Sequence, residues 1–218
     1  FLNYMIKKLK ASFSEKILFI FLITLGIFSF SFFFIIKNKC LFVENVDPKK
    51  IQFNNPQNIV VMNVECGNVI IELTPELSPN AVKRFKHLIE KGSYNHSAFY
   101  KVIKNTLIQA GDLEYGNIDN INYYKIGSGQ SDLGTLKSEL SKNFQFDEGS
   151  VAFARKDAFD TEDSEFFITL KSIPLYAEEY TPIGKVIYGL DALKKIKTGI
   201  KVEYVLRPDF INSFKLLN

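Results

Sequence analysis

The longest uninterrupted apolar stretch, ILFIFLITLGIFSFSFFFII from Ile17 to Ile36, runs for 20 residues without a charge. At 1.5 Å per residue a helix of that length covers the roughly 30 Å of a bilayer's hydrocarbon core, so the pattern predicts one membrane-spanning helix. A cleaved signal peptide would have a shorter apolar run ending at small residues, whereas Lys37-Asn38-Lys39 follows here. Beyond Asn58 the pattern changes to short apolar runs broken by turn residues. Ile59 to Val64 and Asn68 to Leu73 flank Glu65-Cys66-Gly67, and Phe99 to Ile103 and Leu107 to Ala110 flank Lys104-Asn105-Thr106. Both pairs read as hairpins. Ser150 to Ala154, Glu165 to Thr169, Tyr180 to Ile187 and a closing run from Val202 to Leu206 are further predicted strands. Two stretches have helical spacing instead. Ser78 is placed to cap the first, Pro79 suits its first turn, Ala81, Phe85, Leu88 and Ile89 form its stripe, and Gly92 ends it. Leu190, Leu193 and Ile196 form the stripe of the second, Leu190 to Lys197. Several short strands and two helices predict a closed antiparallel barrel, because closure removes the exposed edges that so much Val, Ile and Phe would make hazardous.

The resulting organisation is a basic N-terminal segment (1–16), the span (17–36), a tether (37–57), one globular domain (58–206) and a C-terminal tail (207–218). The tether contains Pro48, Pro56 and several Asn, too irregular for a regular element. The chain does not start with Met, which fits a processed or truncated N-terminus. Lys7, Lys8, Lys10 and Lys16 precede the span and Lys37, Lys39, Lys49 and Lys50 follow it, so the lysine count leaves the orientation open.

Composition excludes more than it suggests. With 27 basic and 24 acidic residues the net charge is +3, and no basic stripe interleaved with aromatics appears, so nucleic acid is not an expected partner. Cys40 and Cys66 have no CxxC or metal spacing, and a disulfide is not expected from them. His87 and His96 do not form a metal pair. The acidic stretch DAFDTEDSE, Asp157 to Glu165, lacks the alternating ligands and central Gly of a calcium loop. Gly127-Ser128-Gly129 lacks a phosphate-loop context. No metal and no cofactor is expected. Lys101 and Gln109 are polar residues inside apolar strands, so each faces either solvent or a site.

Order and spacing together carry a resemblance. A Gly-closed β pair (IVVMNV, ECGN, VIIEL), a Ser-Pro helix start, F-x-K-V-I, Q-x-G-D, E-F-F-I and Y-T-P-I-G-K-V follow one another as they do in the cyclophilins. The chain resembles that family from about Asn58 to about Leu206. The resemblance implies eight strands with a helix over each open end, and prolyl cis-trans isomerase chemistry needing no cofactor. It places Lys101 at the family's catalytic arginine position and Gln109 at its groove glutamine. It assigns peptide binding to Phe153, Thr106, Leu107, Ala154, Glu165, Phe167, Leu175, Tyr176 and Tyr180. Of these, Phe167 keeps a floor position. Leu107 and Phe153 replace Met, Thr106 replaces Phe, Leu175 Trp, Tyr176 Leu, Tyr180 His and Glu165 Gln. The smaller side chains at Thr106 and Leu175 remove apolar contact worth about 1 to 3 kcal/mol each. Lys101, Gln109, Phe167, Phe153, Leu107 and Tyr180 are expected on one concave face, with the Lys101 ammonium near the Gln109 carbonyl or the Glu165 carboxylate.

Three functional readings follow. The first is a membrane-anchored cyclophilin-like domain serving as a binding module or an accessory subunit of a larger membrane protein complex, with isomerase activity weak or lost. The alternative is an active isomerase assisting folding at a membrane. An unrelated enzyme on the same barrel has no triad, metal set or carboxylate pair to support it. Expected partners are the membrane, other proteins and proline-containing peptides. The basic start and single span suit a mitochondrial inner membrane, a bacterial plasma membrane or the endoplasmic reticulum.

Overall fold

The computed structural model describes residues 13–199 and 204–217. They fall into two compact units that divide after Leu41. The first is built on α1 (Phe13–Lys37), one continuous helix with Glu15 in its first turn, where a carboxylate complements the helix dipole. Residues Phe13–Ile35 have a mean hydropathy of 2.6, and their side chains are exposed. Length and composition make α1 a candidate membrane span, with features that a signal sequence shares.

The second unit is an eight-stranded antiparallel sheet: β1 (Ile59–Val64), β2 (Gly67–Leu73), β3 (Lys101–Ile103), β4 (Leu107–Ala110), β5 (Ser150–Phe153), β6 (Phe166–Thr169), β7 (Pro182–Tyr188) and β8 (Ser213–Leu216). The strand order is β3-β4-β6-β5-β7-β2-β1-β8. The sheet curls into a half-barrel that stays open, contrary to the expected closure, with β3 and β8 as its two edges. The edge strand also lies later than expected. Val202 is outside the described residues, Tyr204 makes a single bridge to Lys101, and the Val205 N–H donates to the Tyr100 carbonyl at 2.8 Å. The ladder on β1 is built instead by β8, inside the stretch expected to be a tail. The physical reason lies in Arg207 and Pro208. Arg207 adopts φ 56° and Pro208 has no N–H to give, so the segment touches β3 without extending a ladder along it.

Two helices accompany the sheet: α2 (Pro79–Glu90) packs on β7 and β8, and α3 (Leu190–Leu193) packs on β2. The latter gives way to turns before Lys197. Ser78 does not cap α2 with its side chain; its hydroxyl donates to the Pro182 carbonyl. Glu139 takes that role from a distant loop, accepting from the Asn80 N–H at 3.3 Å and the Ala81 N–H at 2.9 Å. A carboxylate there satisfies orphan donors and the dipole together. The buried stripe of α2 carries Phe85 into an aromatic core, against Tyr94, Phe153, Phe166 and Phe214 at centroid distances of 5.3, 6.0, 5.2 and 5.5 Å. Neither cysteine is a free thiol, although their spacing suggests no disulfide.

Candidate functional site

Strand register assembles the site. Lys101 lies opposite Gln109, Gln109 opposite Phe167, and Phe167 opposite Ala152, one cross-strand row over β3, β4, β6 and β5. Side chains alternate between faces, so this row and its neighbours two residues away share a face. That face lines a cavity of about 430 Å³.

Among the sequence-predicted residues, Lys101, Leu107, Gln109, Ala154, Glu165, Phe167, Tyr176 and Tyr180 line this cavity. Phe153 does not. Alternation turns it to the opposite face of β5, where it is fully buried beside Phe85, and Ala152 and Ala154 flank it on the groove side. Thr106 sits in the turn before β4, its hydroxyl donating to the Lys104 carbonyl at 3.3 Å, outside the cavity lining. Leu175 is the second residue of a short 3₁₀ turn (Pro174–Glu178) and is 82% exposed, outside the cavity lining.

The floor is Phe167, edge-on to Tyr180 at 4.9 Å and to Tyr176 at 5.6 Å, and stacked on Phe146 at 6.5 Å. Leu107, Ala152 and Ala154 complete the apolar cluster. Phe144 and Phe146 belong to it as well, outside every predicted strand and helix.

Above this floor is a polar network. Tyr100 donates to Glu165 Oε2 at 2.7 Å, Gln109 Nε2 donates to the same oxygen at 3.0 Å, and Gln109 Nε2 also donates to the Tyr100 hydroxyl. Tyr100 and Gln109 are thus donors to the Glu165 carboxylate. Glu165 Oε1 is buried without a hydrogen bond. Desolvation lifts Glu165 to about 7, aided by the nearby Asp112 charge and opposed by the Tyr100 and Gln109 hydrogen bonds. Burial also pushes the Tyr100 phenol well up, with Glu165 adding to the effect.

The rim is held by charges that the sequence reading left out. Asp112 is buried and accepts from four backbone N–H groups: Glu114 at 3.1 Å, Tyr115 at 2.8 Å, Gly127 at 2.6 Å and Gly129 at 3.2 Å. This carboxylate folds the Gly-rich loop back on itself. A Cβ on Gly129 would lie 2.1 Å from Asp112 Oδ1, which accounts for glycine there. Asp163 accepts from the Ser131 N–H at 2.6 Å and pairs with Arg84 at 3.2 Å. Arg155 forms a wall, donating to the Glu179 carbonyl at 2.8 Å, pairing with the Glu179 carboxylate, and lying 5.2 Å from the Tyr180 ring centroid. Alternation from Ala154 could not have found Arg155, because it lies just past the end of β5, where the strand period no longer applies. Among the described residues no group of three or more His, Cys, Asp or Glu is arranged to hold a metal.

The sequence model of the family described as "Cyclophilin type peptidyl-prolyl cis-trans isomerase/CLD" matches residues 59–215. The chain belongs to the cyclophilin family. A probable peptidyl-prolyl cis-trans isomerase of Brucella suis biovar 1 is 38% identical over 160 residues, covering 72% of this chain and 81% of the relative. A peptidyl-prolyl cis-trans isomerase of Acinetobacter baylyi is 29% identical over 143 residues, covering 63% and 71%. The fold is similar to that of a Cryptosporidium parvum cyclophilin-type isomerase crystallised in the presence of the dipeptide Ala-Pro, with TM-score 0.64, 26% identity, and coverage of 73% of this chain and 99% of that one.

Proposed function

We propose that this cyclophilin domain binds proline-containing peptides in the cavity over Phe167, and that it does so as a binding module whose isomerase turnover is attenuated. Rotation about the bond preceding proline faces a barrier of roughly 18 to 20 kcal/mol because the amide is conjugated. Lowering it takes an apolar socket for the ring and a donor aimed at the proline nitrogen as conjugation breaks. The socket is supplied by Phe167, Leu107, Tyr176 and Tyr180. The donor position carries Lys101, a single ammonium in place of a planar fork of five N–H groups, and the two are not equivalent where direction matters. That combination is the observation on which the reading rests. The Cryptosporidium relative's crystallisation with Ala-Pro supports the ligand class.

A second reading, an active isomerase, is favoured by the naming of the Brucella and Acinetobacter relatives as isomerases. In either case α1 serves as the membrane anchor and the stretch from Lys37 to Gln57 as its tether, in a mitochondrial inner membrane, a bacterial plasma membrane or the endoplasmic reticulum. A role as accessory subunit of a membrane complex predicts stoichiometric partners on purification in mild detergent. The deciding experiment is exchange NMR on an Ala-Pro peptide with and without the full chain in nonionic micelles. Binding without accelerated cis-trans exchange is the expected result, and strong acceleration by catalytic amounts would replace this reading with the second.

A further inference from the structure

Glu165 and Gln109 together determine what the groove offers a ligand. An ionised carboxylate has no proton to give, so every group hydrogen-bonded to it must donate. Tyr100 spends its one proton on Glu165 Oε2, at 2.7 Å, and its oxygen can then only accept, which it does from Gln109 Nε2. Gln109 Nε2 also donates to Glu165 Oε2, at 3.0 Å. The Gln109 amide nitrogen is thereby turned into the network. The Gln109 carboxamide lines the cavity, so the end left for a ligand is the acceptor, Oε1.

From this geometry we infer that the protonation state of Glu165 sets the orientation of the Gln109 amide, and with it whether the groove presents an acceptor or a donor to a bound peptide. With a proton on Glu165 the carboxyl becomes a donor. The amide then turns over, Oε1 accepts from the network, and Nε2 points into the groove. Turning a carboxamide exchanges nitrogen and oxygen without moving the rest of the side chain. A proline nitrogen carries no hydrogen, so a peptide seated at its proline offers carbonyls and selects the donor state. Peptide binding is accordingly linked to uptake of one proton by the Glu165 carboxyl. This rests on the reading of the cavity as a groove for proline-containing peptides.

The surrounding charges leave Glu165 as the responsive group. Burial lifts its carboxyl to about 7. Tyr100, which donates to it, and Tyr94, which donates to the neighbouring Ser164 carbonyl, are pushed further up by burial and keep their protons. Asp112 is occupied by its four backbone donors and Asp163 by Arg84 and Ser131. Lys156 lies near enough to favour the ionised form, and Lys101 lines the same cavity.

The test is calorimetry of the full chain in nonionic micelles with an Ala-Pro-containing tetrapeptide, at pH 6 and pH 8, in two buffers of different ionisation heat. A group titrating near 7 is protonated in about nine-tenths of molecules at pH 6 and one-tenth at pH 8, so affinity should fall about tenfold over that interval, with proton uptake on binding. Glu165→Gln should bind equally at both pH values, and Gln109→Met, with no donor and only a weak thioether acceptor, should do the same. Wild-type affinity that is independent of pH, or pH dependence that survives in Gln109→Met, overturns the inference while leaving the peptide-binding reading intact. Absence of binding by every form at both pH values overturns that reading, and this inference with it.

Discussion

Replacing Glu165 with Gln should change how the stability of the domain depends on pH, by an amount that follows from the site. Glu165 is lifted from an ordinary 4.5 to about 7 because its carboxyl is buried with one oxygen unpaired. The folded state therefore holds this proton more tightly than the unfolded chain does. Below pH 4.5 both states carry the proton, and the group's favourable contribution is complete. As pH rises from 4.5 the unfolded chain ionises first and stability falls, until above about 7 both states are ionised and the contribution is lost. A shift of that size corresponds to about 3 kcal/mol at 1.36 kcal/mol per unit. Glu165→Gln has no such titration, so between pH 4.5 and 8 its unfolding free energy should fall about 3 kcal/mol less than that of wild type. The assay is urea unfolding of the full chain in nonionic micelles across this range, followed by tyrosine fluorescence, since the chain has no Trp. Parallel pH profiles for wild type and variant would refute the reasoning.

Asp112→Ala leaves four backbone N–H groups without their acceptor and should destabilise the domain by about 3 kcal/mol or more, with faster hydrogen exchange at Gly127 and Gly129 as the local signature. Phe167→Ala should cost about 3 to 5 kcal/mol in thermal or urea unfolding and abolish peptide binding. Leu175→Ala should change stability by no more than about 0.5 kcal/mol and leave binding unaltered, because that side chain stands outside the wall.

Strand and helix placement was largely readable from the sequence because alternation, turn residues and the α2 stripe all act locally. What escaped it depends on contacts between distant segments. The segment from Tyr204 to Phe210 meets residues 98 and 101 through isolated bridges on either side of the positive-φ Arg207 and Pro208, and neither residue type by itself forbids a strand. Phe153 was assigned to the groove by position in a motif, but the β5 register puts its neighbours Ala152 and Ala154 there. The helix cap came from Glu139, 58 residues away from Ala81, rather than from the adjacent Ser78. Lys101 and Gln109 were identifiable as polar residues inside apolar strands, and Phe167 through the resemblance to the family. Tyr100 was passed over although it adjoins Lys101, because its role comes from Glu165, 65 residues further on.

The central claim is that a kept socket is paired with a poorly directed donor, and the turnover of Lys101→Arg tests it most directly. Removing one well-placed transition-state donor typically costs about 10² to 10³ in rate. The account predicts slow prolyl-peptide isomerisation by the wild-type chain and a kcat/KM for Lys101→Arg raised by at least about tenfold, with peptide affinity little changed. Equal and rapid turnover by both proteins would contradict it.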